Sequence, residues 1–313
     1  NMKVLYVDSG NDEGKLGTVV KNQADSLMEA GVSIDFYPVR GKGVFGYVKN
    51  IYPLWKHIKT YSPDIVHSHY SLSAMITTIA LLFRHTRSHV VSLMGSDAQL
   101  SGVLKVFVKL ANKIFWKKTI VKSKQMLIDI GIKNATVIPN GVDLKKIESF
   151  EKQTKNRKDQ SNPKKTVLFA ANPTRESKNF PLAKKAMENI DAQLRVVYNR
   201  SYEKIISELL HADVLLLTSR WEGSPNIIKE AMACKLPVVA TNVGDIYWLF
   251  GEEPGYFLCS KDPENITKNI QQALNFKERM GITKGKKRIL ELGLDAESVA
   301  KQIIELYEQA LAN

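Results

Sequence analysis

The sequence predicts two α/β domains in tandem, each built on a parallel sheet with helices on both faces. A chain of 313 residues is long enough for two separate hydrophobic cores. In its first half, short β-rich runs alternate with helical stretches: VLYVD (4–8), IDFYPV (34–39), DIVHSH (64–69), HVVSLM (89–94) and TIVKS (119–123). The alternation begins again with TVLFAAN (166–172) and continues through QLRVVYN (193–199), DVLLLTS (213–219), LPVVATN (236–242) and YFLC (256–259). Strands separated by helices in this way pair in parallel, because each crossover helix returns the chain to the same edge. No clean repeat relates the halves, so two like folds are expected and not a solenoid.

Between the halves, residues 145–165 are strongly polar, with six Lys or Arg from Lys152 to Lys165. This stretch reads as an interdomain linker or exposed loop. The expected domains are therefore 1–150 and 151–295. From about 296 to 313, Val299, Ile303, Leu306, Tyr307 and Ala310 recur at helical spacing, so the tail is expected to form an amphipathic helix docked on a domain.

Composition narrows the class. Hydrophobic residues at 44% and charged residues at 25% match soluble globular chains and exclude disorder. Met2 leads directly into a strand-like run without the layout of a signal peptide, which points to the cytoplasm. The longest apolar run, AMITTIALLF (74–83), is about half of what a bilayer crossing needs. Two distant cysteines, Cys234 and Cys259, imply neither a disulfide framework nor a thiolate metal site. A net charge of +13 favours a polyanionic partner: nucleic acid, an acidic membrane surface or a phosphorylated substrate.

The most informative segment is ADVLLLTSRWEGSPNIIKEAMACKLPVVATNVGD (212–245). A buried strand runs into a loop carrying Glu222 and Gly223. Ser224 then offers an N-cap and Pro225 suits the first helical position, so a helix is expected to begin there. The free amides at its start, those of Gly223, Ser224, Asn226 and Ile227 among them, suit a diphosphate. Glu230 follows Glu222 by eight positions, which puts both carboxylates at the carboxyl edge of the sheet, where open α/β sheets bind ligands.

Glu222, seven intervening residues and Glu230, set in EGSPNIIKEAMACKLPVVAT, resemble the donor-site signature of the retaining glycosyltransferases of family 4. PDIVHSHY (63–70), MGSD (94–97), VIPNGVD (137–143) and Ser177–Lys178 extend the resemblance along most of the chain. It implies a GT-B fold: two Rossmann-like domains facing across a cleft, the first binding acceptor, the second binding a nucleotide-sugar, and a C-terminal helix that crosses back to the first. It further implies that Glu230 binds the donor ribose, Glu222 the transferred sugar, and Lys178 the leaving diphosphate. The reaction implied is metal-independent transfer with retention, with no cofactor, from a UDP-sugar to a glycan or lipid-linked acceptor in cell-surface polysaccharide synthesis. No Asp-X-Asp motif is present.

The chain departs from the family pattern twice. Where relatives place a phosphate-binding arginine, this chain has Pro173, and Arg175 is the available substitute. Before the Gly-Ser-Asp triplet, Met94 replaces a common histidine, leaving His69 as the alternative sugar contact. Asp97 is either a cap residue or an active-site acid. Gly14 and Gly17, in the loop after the first strand, either shape the turn or bring backbone to the donor and acceptor. His67 and His69 lack a third metal ligand nearby.

Two basic amphipathic segments lie in the first half. In one, Lys105, Lys109, Lys113 and Lys117 accompany Val106, Phe107, Leu110, Ile114 and Phe115. In the other, Lys42, Lys49, Lys56 and Lys59 accompany Phe45, Tyr47, Tyr52 and Trp55. Such helices rest on anionic lipid, or their apolar faces are ordinary core beneath a solvated lysine face. The former would place the protein peripherally on the inner face of the cell membrane. Rival readings are a nucleic-acid-binding protein, for which no module is recognisable, and a nucleotide-sugar epimerase or phosphorylase of the same fold. The absence of Gly-X-Gly-X-X-Gly after a first strand disfavours a dinucleotide oxidoreductase.

Overall fold

A computed structural model describes residues 2–10, 16–41, 43–82, 88–155 and 164–312. The chain divides into two compact units: residues 1–141 with 296–313, and residues 142–295. The first contains β1 (Lys3–Ser9), α1 (Thr18–Glu29), β2 (Ser33–Val39), α2 (Gly43–Val48), α3 (Ile51–Tyr61), β3 (Ile65–His69) and α4 (Ser71–Leu82). It continues with β4 (Ser88–Ser92), α5 (Gly102–Ile114), β5 (Lys118–Val121), α6 (Lys124–Ile130) and β6 (Thr136–Val137). The second unit runs through α7 (Leu144–Lys155), β7 (Thr166–Phe169), α8 (Phe180–Met187), β8 (Gln193–Val196), α9 (Tyr202–His211) and β9 (Val214–Leu217). It ends with α10 (Asn226–Ala233), β10 (Val238–Thr241), α11 (Ile246–Phe250), β11 (Tyr256–Cys259), α12 (Pro263–Met280) and α13 (Gly285–Glu291), after which α14 (Ala296–Ala312) rejoins the first unit.

Both sheets are parallel, in the orders β2-β1-β3-β4-β5-β6 and β11-β10-β9-β7-β8. In each, the strand order reverses beside the unit's first strand, at β1/β3 and at β7/β9. Connecting loops diverge there to opposite faces and leave a crevice at the carboxyl ends. Each sheet is covered twice. In the first unit, Val20, Ala24 and Leu27 of α1 and Ile303, Leu306 and Tyr307 of α14 pack on one core, while the other face carries Leu54, Ile58 and Ile76 of α3 and α4.

Residues 144–155 are not a linker but a helix of the second unit. Their charges conceal Leu144, Ile147 and Phe150 at i, i+3 and i+6, and this narrow stripe packs beside Tyr202 and Ile206 of α9. Lys235 to Glu151 (3.3 Å) and Lys286 to Glu148 add ion pairs. The units therefore separate at Gly141 and Val142, not at residue 150. Gly141 is required there: a β-carbon would lie 2.9 Å from the Ala296 Cα, where α14 begins.

Candidate active site

Two loops meet at the β7/β9 switch point of the second unit. After β7, the chain forms a 3-10 turn at Glu176–Lys178; after β9, it runs through Thr218 to Pro225 into α10. Short strands end abruptly here because polar loop residues bind each other's backbone. The Thr218 hydroxyl donates to the carbonyls of Lys178 and Asn179 (both 3.0 Å), and the Arg220 amide donates to Ser177 O (2.8 Å). Thr241, from β10, fastens Ser219 O at 2.7 Å.

This stitching brings Lys178 to Glu222. The Lys178 ammonium donates to Glu222 Oε1 at 2.5 Å, and the Ser219 hydroxyl donates to the same oxygen at 2.6 Å. Both side chains of the ion pair are mostly buried. The pair offers one cation and one carboxylate at the sheet edge, held by hydrogen bonds before anything binds. Arg175 precedes the turn and is exposed, and among the described residues its guanidinium has no ion pair or hydrogen bond. It is free to swing but is not part of the Lys178–Glu222 cluster.

Helix α10 begins one residue later than the sequence suggests. Pro225 takes extended backbone (φ −70°, ψ 117°) and is itself the N-cap, and the buried Ser224 hydroxyl caps nothing. Proline's fixed φ satisfies either position, and the extended ψ decides for the cap. The loop from Gly223 through Asn226 and Ile227 leads directly from Glu222 into this helix start. Glu230 lies one turn further on, half-buried, and burial pushes its carboxyl up to about 7 against the favourable charge of Lys229.

Three residues here escape sequence reasoning. Ser219 completes the Glu222 cluster. Lys229 is wholly buried in α10, its amine lowered to about 8 by burial, while the charges of Asp245 and Glu230 oppose that shift. Asp245 is raised to about 6, by burial first, and Glu222 adds to the rise. A lysine beside a helix cap reads as surface until the fold encloses it. The turn before Asp245 is strict about its residue: Gly244 has φ +61°, and a β-carbon would sit 2.4 Å from Gly223 O and 2.8 Å from Glu222 O. The Asp245 amide donates to Gly223 O at 3.2 Å. Gly244→Ala is thus expected to destabilise the protein by about 2 kcal/mol or more, from left-handed strain and the clash. An unchanged urea midpoint would show that the 222–223 loop yields freely.

In the first unit, the β1/β3 switch point carries a second polar cluster. His67 and His69 share one face of β3 by strand alternation and stack with ring centroids 4.4 Å apart. His67 is saturated, with Nδ1 against the Tyr307 hydroxyl (2.6 Å) and Nε2 against Ser92 Oγ (2.8 Å). His69 is buried, with Nε2 3.2 Å from Gln23 Oε1, which also accepts from the Tyr6 hydroxyl at 3.1 Å. Burial drives the His69 imidazole down to about 3, and Lys122 lowers it further. Asp97 spends both oxygens on local fastening: Oδ1 accepts from the Ser71 hydroxyl (2.7 Å) and amide (3.3 Å), and Oδ2 from the Met94 amide (2.8 Å). This ties the loop after β4 to the start of α4. The Gly17 amide donates to Asp8 Oδ2 at 3.1 Å, and burial raises that carboxyl to about 6. Gly14 lies outside the described residues. Among the described residues no cluster of three His, Cys, Asp or Glu could hold a metal, and no helix is long and apolar enough to cross a membrane.

Comparison with known proteins matches residues 19–146 to the family described as Glycosyltransferase Family 4 and residues 145–275 to Glycosyl transferases group 1. A Bacillus subtilis glycosyltransferase named for teichuronic acid biosynthesis, TuaC, is 23% identical over 241 residues, 66% of this chain. The chain matches 60% of that relative's length. Sucrose-phosphate synthase from Thermosynechococcus elongatus superposes with a TM-score of 0.81 at 17% identity, covering all of both chains. The Anabaena protein HepE, in complex with UDP, gives 0.75 at 16% identity over 98% of this chain and all of that one. Two Rossmann-like sheets, each with its site-bearing loops at the reversal of strand order, are the GT-B arrangement, and the chain belongs to the GT-B glycosyltransferases, with a family 4 first half and a group 1 second half.

Proposed function

We propose that the protein is a retaining glycosyltransferase that moves a sugar from a UDP-sugar to a glycan or lipid-linked acceptor, without a metal ion. The observation that carries this reading is the Lys178–Glu222 pair, held at the sheet edge beside the start of α10 and one turn from Glu230. A diphosphate settles against the amides of 223–227, where the helix dipole favours negative charge. Lys178 then turns from Glu222 toward the phosphates, and Glu222 is released to bind hydroxyls of the transferred sugar. Glu230 takes the ribose hydroxyls, since a carboxylate's paired oxygens accept two such bonds.

As the glycosidic bond to phosphate breaks, charge grows on the leaving diphosphate, and Lys178 and the amides stabilise it most when it is greatest. Arg175, exposed just before the turn, supplies a second cation only by swinging in toward the bound diphosphate. The departing phosphate assists removal of the acceptor proton on the same face, which gives retention. HepE in complex with UDP supports the choice of base, and the name of the teichuronic acid relative supports a cell-envelope acceptor. The first unit is the reading's acceptor-binding half, and a cytoplasmic location fits a soluble donor.

Calorimetric titration with UDP, GDP and ADP in EDTA tests the donor half of the reading. Saturable UDP binding by the wild-type chain, lost in Glu230→Ala, is the expected result. Binding only after divalent metal is restored would overturn metal independence, and binding of GDP or ADP alone would change the base.

A further inference from the structure

Asp245 stands at the N-cap of α11, a position where an aspartate ordinarily accepts a hydrogen bond from the helix's first amides. Here it makes no cap bond, and both carboxylate oxygens are buried without a hydrogen-bond partner. The backbone accounts for the displacement. The Asp245 amide donates to Gly223 O at 3.2 Å, and only a glycine at 244 lets the chain pass so close to the Glu222 and Gly223 carbonyls. Asp245 is thereby held against the loop that carries Glu222. Ser224 in that loop is 8% exposed, and its hydroxyl also lacks a partner.

The tie between the two loops is made by the backbone, so the Asp245 carboxyl adds no hydrogen bond to the fold. What it adds is charge. Lys229 attracts that charge and Glu222 opposes it, while the Ser224 hydroxyl is near enough to ease the ionisation without forming a hydrogen bond. Lys229 is shared with Glu230. Three carboxyls therefore depend on one buried ammonium once Lys178 has turned to the phosphates. We propose that Asp245 is a specificity-determining residue: with Glu222 it makes the sugar end of the donor site reject a carboxylate, so that the transferred sugar is a neutral hexose or its N-acetylated amine and not a uronic acid. This inference rests on the reading of the β7/β9 loops as the donor site.

The chemistry separates the two sugar classes. A hydroxyl both donates and accepts, so a neutral sugar pairs with the Glu222 carboxylate and with the Ser224 hydroxyl. A uronic acid at neutral pH presents an acceptor-only group of the same charge as its surroundings, and such like-charge juxtaposition is an effective way to exclude a competitor. Asp245 needs no contact with the sugar for this. Its oxygens are enclosed, and a charge in the protein interior is felt over several ångströms because water does not screen it fully.

The test is competitive calorimetry on the full chain at pH 7.5 with two matched pairs, UDP-glucose with UDP-glucuronate and UDP-galactose with UDP-galacturonate. Members of a pair differ only at C6, a hydroxymethyl group against a carboxylate. Their affinity ratio thus cancels both ring preference and any general change in donor binding. The wild-type chain is expected to bind the uncharged member about tenfold more tightly or better in each pair that it accepts. Asp245→Asn, which keeps the shape and removes the charge, is expected to narrow the gap to about threefold or less, and Asp245→Glu to preserve it. A wild-type chain that binds the uronate as tightly as its neutral partner overturns the inference without recourse to any variant. So does an Asp245→Asn variant whose gap is unchanged, since equal loss on both members would make the carboxyl structural. UDP binding without discrimination removes this inference alone, whereas no UDP binding at all removes the donor-site reading and this inference with it.

Discussion

Lys178→Ala is expected to lower kcat by about 10²–10³ while leaving KM for the donor within a few-fold, the cost of removing one preorganised group that meets charge in the transition state. Its partner is not orphaned by the change, since Ser219 still donates to Glu222 at 2.6 Å. Glu230→Ala is expected to act on the other parameter. It removes hydrogen bonds to a charged acceptor, worth roughly 1.5–3 kcal/mol, so UDP affinity should fall by roughly ten- to a hundredfold with a smaller change in turnover. Steady-state kinetics and calorimetry on the two variants separate these effects. If both were near wild type, the loops at the β7/β9 switch point would not be the donor site.

The second large effect is on stability in acid. His67, His69 and His89 are buried in the first unit and held neutral, His69 and His89 down to about 3, by burial first in every case. Such a group binds fewer protons folded than unfolded. Its stabilisation is complete above the unfolded value near 6.5 and is lost as pH falls toward the folded value. At pH 5 the loss is about 2 kcal/mol each for His69 and His89, with His67 adding in the same direction. Asp8, raised to about 6, works the other way between 6 and 3.8, and Asp97 opposes in the same sense. Two or three histidines outweigh them, so the first unit is expected to weaken on going from pH 7 to 5.

The second unit has the opposite sign in that window. Glu230 and Asp245 are raised, to about 7 and about 6, so the folded state takes up protons that the unfolded state does not. Their burial cost is relieved as pH falls from 7 toward 4.5. Lys229 contributes only at higher pH, since its loss occurs between 10.5 and 8. Hydrogen exchange resolved by peptide, corrected for intrinsic rate, should show protection falling in β1, β3 and α14 while β7, β9 and α10 hold. A uniform loss across both units would contradict the assignment of neutral, buried histidines.

The parallel-sheet architecture was legible because strands covered on both faces must be apolar along their length, and those runs are short enough to count. The Glu222 to Glu230 spacing was equally plain, because eight residues of loop and helix start are local. The tail's docking face could be read from the spacing of Val299, Ile303, Leu306 and Tyr307, but not that its Tyr307 would close the hydrogen-bond set of His67, 240 residues away. Helix α7 was read as a linker because periodicity of three apolar residues is faint among so many charges. A lysine's type says nothing about burial, so Lys229 could not be found before α10 packed.

By itself, then, the sequence determined the two-domain α/β class, the Glu222 to Glu230 spacing that resembles a donor-site signature, and the basic character of the first half, all properties of residues near one another in the chain. Tertiary structure alone decided the pairing of Lys178 with Glu222 across 44 residues and the unit boundary at Gly141. It also decided that Val108 and Ala111 of α5 face inward while Val106 and Leu110 stay exposed. The reason is the same in each case: helical and strand periodicity mark that a face is apolar, but only packing against a distant element determines what covers it.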